Sequence, residues 1–123
     1  MESEARSLQE ITITEILRSL GVPAHICGYK FLREAILFYI YNPDINRMIT
    51  KTLYPAVAEH FGTTPQKVER GIRHAIELAW GYGTIELMKT DTRSPVFGLQ
   101  GKPTNAQLIA ILADWVRLHP GDG

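Results

Sequence analysis

Apolar positions recur along this chain at helical spacing, and Gly and Pro cut the pattern into helix-sized pieces. Ile13, Ile16, Leu17 and Leu20 share one face and predict a first helix over residues 8–20, closed by Gly21 and Pro23. A connector over 22–28 holds His25 and Cys27. Residues 29–41 are rich in Leu, Ile, Phe and Tyr around Arg33 and Glu34, which predicts a mostly buried helix stopped by Asn42-Pro43. A less regular piece covers 45–50. Two further helical patterns, 51–61 and 65–80, are joined by Gly62-Thr63-Thr64. A short helical turn is expected around 85–88, after Gly81-Tyr82-Gly83, and residues 89–104 read as loop. A last helix starts near Thr104-Asn105, both capping types, with Leu108, Ile109, Leu112, Trp115 and Val116 on its buried face. The ends, 1–7 and 119–123, read as frayed. Strand alternation is not convincing anywhere. The expected fold is all-α, a single domain of about six helices containing a helix-turn-helix over about 51–80.

The segment 54–80 carries most of the functional information. Two helical patterns joined by a few residues with a turn glycine make the helix-turn-helix plan. Ala58, four before Gly62, lets the two helices approach, and Val68, six after it, tucks the second helix onto the first. Three residues further on a large apolar residue is expected and Gly71 stands there; Ile72 can fill the role. Gly71 costs about 1 kcal/mol in helix propensity relative to Ala, so close packing or close approach to a ligand is expected at that point. The second helix has two candidate starts. Thr63 with Gln66 has capping-box spacing, and Thr64 with Pro65 at the first helical position is the alternative.

Val68, Ile72, Ala75, Ile76 and Ala79 form one apolar stripe of this second helix. The opposite face carries Gln66, Glu69, Arg70, Arg73, His74 and Glu77. Such side chains can read base edges in a major groove: Arg bidentate to guanine, Gln to adenine, Glu accepting from cytosine. A helix in the groove presents mainly its N-terminal half, which favours Gln66, Glu69, Arg70 and Arg73 as base readers. Thr63 and Thr64 stand where phosphate meets free N–H groups, and Lys67 and Lys51 are candidate phosphate cations. A second interpretation stays open. The same pattern occurs in helical proteins that never touch DNA, with Arg70 and Arg73 merely paired to Glu69 and Glu77 on a solvated face.

Charge sharpens the picture. The chain has 123 residues, with 13 basic and 13 acidic side chains. That balance excludes a globally basic DNA-coating protein and an acidic tail. Within 47–74, however, Arg47, Lys51, Lys67, Arg70 and Arg73 stand against Glu59 and Glu69 only, a net of +3, while both flanks are net negative. The positive excess falls on the candidate DNA-binding unit. The length suits one domain with a core. One cysteine cannot form an internal disulfide, which points to a reducing, intracellular setting. No apolar run reaches the roughly 18 residues of a membrane span.

Several blocks together resemble a known family: Gly21-Val22-Pro23-Ala24-His25-Ile26, Gly28-Tyr29, Leu32-Arg33-Glu34-Ala35-Ile36, Ile49-Thr50-Lys51 and Leu53-Tyr54-Pro55. Val68-Glu69-Arg70, Ile72-Arg73-His74-Ala75-Ile76-Glu77, Ala79-Trp80 and Lys102-Pro103-Thr104-Asn105 extend the set. The chain closely resembles the DNA-binding effector domain of the sporulation response regulator, the stage zero sporulation protein A family, over roughly residues 11 to 118. The resemblance implies a six-helix bundle enclosing a helix-turn-helix. It implies sequence-specific binding to a short double-stranded promoter element, with the helix from about Pro65 in the major groove. It also implies that Glu69, Arg70, Arg73 and His74 face the DNA. The expected role is a transcription regulator of sporulation initiation, cytoplasmic and at the bacterial nucleoid, monomeric in solution and paired on tandem sites.

Three departures stand out. The family carries an N-terminal receiver domain, for which this sequence has no room. The family's Phe-Gly-Tyr-Thr-like loop is associated with RNA polymerase sigma factors, and residues 87–101 differ from it. Position 71 is Gly where a small residue such as Ala is usual. DNA binding with altered or lost activation is the expectation. The alternative is an interaction module that kept the fold and binds a sigma factor or a full-length relative instead of DNA.

Other chemistry has little behind it. His25 and Cys27 lack a second ligand pair for zinc, and Cys27 is expected to be a partly buried thiol. His74 has no nucleophile and orienting acid beside it. His60 at a helix end suits a dipole contact. Residues 91–94 lack a Gly-rich phosphate cradle. Trp80 and Trp115 are expected in the core. No catalytic set, cofactor site or metal site is expected.

Overall fold

The computed structural model describes residues 2–81 and 84–119. It is all-helical, with six α-helices and no strand among the described residues: α1 Glu2–Ser19, α2 Cys27–Tyr41, α3 Tyr54–Phe61, α4 Pro65–Gly81, α5 Thr84–Met88 and α6 Asn105–Leu118. A 3₁₀ turn, Pro43–Arg47, and a π turn, Ile49–Leu53, link α2 to α3. Ile13, Leu17, Leu20, Leu32, Ile36, Leu37, Leu53, Ile72, Ile85, Leu108, Ile109 and Leu112 fill the centre of one apolar cluster.

α1 begins at Glu2, earlier than its apolar pattern predicts. The start expected to fray is therefore helical from residue 2. Residues 4–9 bury little and carry polar contacts instead. Arg6 bridges Glu34 of α2 at 3.0 Å and Glu10 at 3.5 Å, and the Tyr41 hydroxyl donates to Gln9 at 2.6 Å. The helix closes where expected, with the Gly21 N–H donating to Arg18 O at 3.1 Å and the Val22 N–H to Leu17 O at 3.0 Å.

α2 is the central element. It starts at Cys27, two residues before the predicted boundary, and nine of its fifteen residues are buried. α1, α3, α4 and α6 all pack on it. Its contact with α4 is unusually close. A Cβ on Gly28 would lie 2.1 Å from Gly71 O, and one on Gly71 would lie 2.8 Å from the Phe31 ring. Gly71 thus serves close packing between helices.

The helix-turn-helix starts later than 51. The chain passes through the π turn before α3 begins at Tyr54. Pro55 explains this: it has no N–H to give, and its ring would meet the carbonyl of residue 51 in a continuous α-helix, so a wider turn precedes it. Gly62 closes α3 in the left-handed region, φ +65° and ψ +38°. Its N–H donates to Glu59 O at 3.3 Å, and the Thr63 N–H to Ala58 O at 2.9 Å. Because this bond commits Thr63 to the end of α3, Thr64 caps α4, its hydroxyl accepting from the Lys67 N–H at 3.2 Å.

α6 has the full capping box. Thr104 accepts from the Gln107 N–H at 3.2 Å, and the Thr104 N–H donates to Gln107 Oε1 at 2.9 Å. Trp80 and Trp115 are half-buried against the core rather than inside it. The His119 ring stacks on Trp115 at 4.2 Å, and residues 120–123 of the expected frayed tail lie outside the described residues. So do Tyr82 and Gly83 of the expected break after α4.

Candidate nucleic-acid interface

α4 buries Val68, Ile72, Ala75, Ile76 and Ala79, the stripe its periodicity predicts. Helical geometry then turns Gln66, Lys67, Arg70, Arg73, His74 and Glu77 outward, and all six are exposed. Glu69 is partly exposed, its carboxylate 3.0 Å from Arg73 one turn on. This ion pair orients the Arg73 guanidinium but, being open to water, adds only a few tenths of a kcal/mol.

α4 stands as a ridge between two clefts of about 500 Å³ each. On the α3 side, Gln66, Glu69, Arg70 and Arg73 face Lys51, Thr50 and Tyr54 across one cleft. On the α2 side, Lys67, Arg70 and His74 face Thr63, Phe61, Lys30 and Cys27 across the other. Arg70 lines both. Eight of the nine residues predicted from sequence thus line the two flanks of one helix. Thr64 lies at the N-terminus of α4, exposed, with its hydroxyl proton still available while its oxygen accepts from Lys67.

α6 braces the ridge from one flank. Asn105, first residue of α6, donates through Nδ2 to Tyr54 Oη and to Glu69 O, both at 3.1 Å. It thereby ties α3, α4 and α6 together at the groove. Burial raises the Tyr54 phenol above its ordinary pKa, against the opposing pull of the Asn105 hydrogen bond. Lys102 lies 3.8 Å from Glu77 on the same side.

Two contributors escaped the sequence. Asn105 stands 36 residues from Glu69, and no local pattern links them. Lys30 belongs to a helix expected to be mostly buried, yet it is exposed, with its ammonium 5.1 Å from the Phe61 ring centre. Its being the one cation in the apolar run 29–32 was the only available signal. Cys27, expected to be partly buried, is exposed because it begins α2 beside the open cleft. His60 ends α3 as expected, with its ring edge-on to Phe61 and 4.0 Å from Glu34.

Among the described residues, no group of three or more His, Cys, Asp or Glu is arranged to hold a metal ion, and no helix is long and apolar enough to cross a membrane. The face offers hydrogen-bond donors and positive charge on an exposed helix with a capped, open N-terminus, a set of groups able to meet nucleic acid. A family model, Sporulation initiation factor Spo0A C terminal, matches residues 13–116, nearly the whole chain. The chain belongs to this family of DNA-binding, transcription-regulating domains of sporulation.

Proposed function

We propose that this protein binds double-stranded DNA sequence-specifically, as a transcription regulator of the sporulation-initiation type, with α4 in the major groove. The observation that carries this is the exposed Gln66–His74 ridge between two open clefts. Arg70, at the crest, is the leading base reader and suits guanine O6 and N7. Arg73, oriented by Glu69, suits a second base. Gln66 suits adenine, Glu69 a cytosine amine, and His74 a base edge further along. Thr63, Thr64, Lys67 and Lys51 meet phosphates. The protein works in the bacterial cytoplasm at the nucleoid, as a monomer that pairs on tandem sites.

The test separates base from backbone contacts. Arg70→Ala should cost about 1–3 kcal/mol on the cognate duplex and relax base preference. Lys67→Ala should weaken all duplexes alike and reduce the salt slope by about one. Unchanged affinity in both variants overturns the assignment of α4.

One observation favours a protein partner as well. Leu87 and Phe97, both within the segment 87–101 where the chain departs from the family's loop, are 77% and 55% exposed. An RNA polymerase sigma factor is the proposed occupant. A complex with sigma factor that persists at high salt and in the absence of duplex would support the interaction-module alternative over DNA binding.

A further inference from the structure

The two flanks of α4 differ in charge. The α3 cleft mixes Lys51, Arg70 and Arg73 with the Glu69 carboxylate. The α2 cleft is lined by Lys30, Lys67, Arg70 and His74 and by no carboxylate. Its floor is aromatic: Phe31 and Phe61 sit 5.6 Å apart, tilted by 58°. Lys30 Nζ lies 5.1 Å from the Phe61 centroid and 5.8 Å from that of Phe31, and among the described residues Lys30 has no acidic partner within 4 Å. Ring faces steady an ammonium without neutralising it. The Gly28–Gly71 contact holds this end of α2 against the middle of α4.

A helix seated in the major groove, about 12 Å wide, has a sugar-phosphate backbone on each side. Resting on the DNA-binding reading above, we propose that the α2 cleft seats the backbone opposite the one that Lys51 meets, with Lys30 as its outer phosphate cation. The recognition helix is then gripped from both strands, and the second grip comes from a helix outside the helix-turn-helix.

Lys30→Gln and Lys30→Arg are compared with the parent by fluorescence anisotropy, on cognate and scrambled duplexes over a salt series. Lys30→Gln should weaken both duplexes by the same factor and reduce the slope of log K against log salt by about one, while Lys30→Arg keeps the parental slope. Cys27, the single cysteine, lines the same cleft and is exposed, so saturating duplex should slow its alkylation by iodoacetamide. A parental slope in Lys30→Gln, or alkylation of Cys27 unaffected by bound duplex, overturns the proposal and leaves the role of α4 standing. A parent that binds neither duplex overturns both.

Discussion

Thr63 and Thr64 are neighbours with different jobs, and the sequence offers either as the cap of α4. Both satisfy a local rule. What separates them is a bond across the turn, from the Thr63 N–H to Ala58 O, which leaves Thr64 to receive the Lys67 N–H. Thr64→Ala should therefore cost about 1 kcal/mol in urea unfolding, and Thr63→Ala much less. Equal losses would contradict the capping assignment. The glycines at the α2–α4 crossing make a second pair. An added methyl at Gly28 would press on a backbone carbonyl, which cannot move aside, whereas at Gly71 it would press on the Phe31 ring. Gly28→Ala should cost about 2 kcal/mol or more, and Gly71→Ala less, since it recovers about 1 kcal/mol of helix propensity. A stability order reversed in urea unfolding would contradict the crossing. Sequence could name Gly71 as a place needing room. It could not name the occupant, because Gly28 and Phe31 lie some forty residues away.

At the scale of elements, long apolar stripes were legible and polar or proline-modified starts were not. The buried face of α4 agrees with its periodicity at all five positions, because burial alone defines it. The first turns of α1 leave no apolar stripe to detect, since residues 4–9 are exposed or half-buried and make polar contacts through Arg6 and Gln9. The start of α3 was missed because Pro55 forces a wide turn that spacing does not encode. The bracing of α4 is likewise a matter of elements. Asn105→Ala removes both hydrogen bonds that join α6 to α3 and α4 and should cost about 1–3 kcal/mol, measured by denaturant unfolding. Tyr54 adds a pH signature. Its folded-state pKa is raised, so folding favours the neutral phenol. That contribution is complete below the ordinary tyrosine pKa of about 10 and disappears as pH rises through the folded value. The parent should lose stability above about pH 10 relative to Tyr54→Phe. Parallel curves for the two would contradict the burial of the phenol.

Across the whole molecule, zero net charge conceals a local excess of +3 over residues 47–74. The fold concentrates part of that excess on α4 and its two flanks. Sequence disclosed the ridge, since one helix carries it, but not the clefts, which need α2 and α3 beside it. With zero net charge overall, the proposed attraction to DNA rests on local contacts, those of the α4 ridge and of the cations lining its two flanks. The most direct test is fluorescence anisotropy with two duplexes, one carrying the promoter element that the sporulation regulators recognise and one scrambled, at low and near-physiological salt. Base reading by α4 predicts a preference for the promoter element that persists as salt rises. Equal binding to both duplexes, erased by salt, would contradict it.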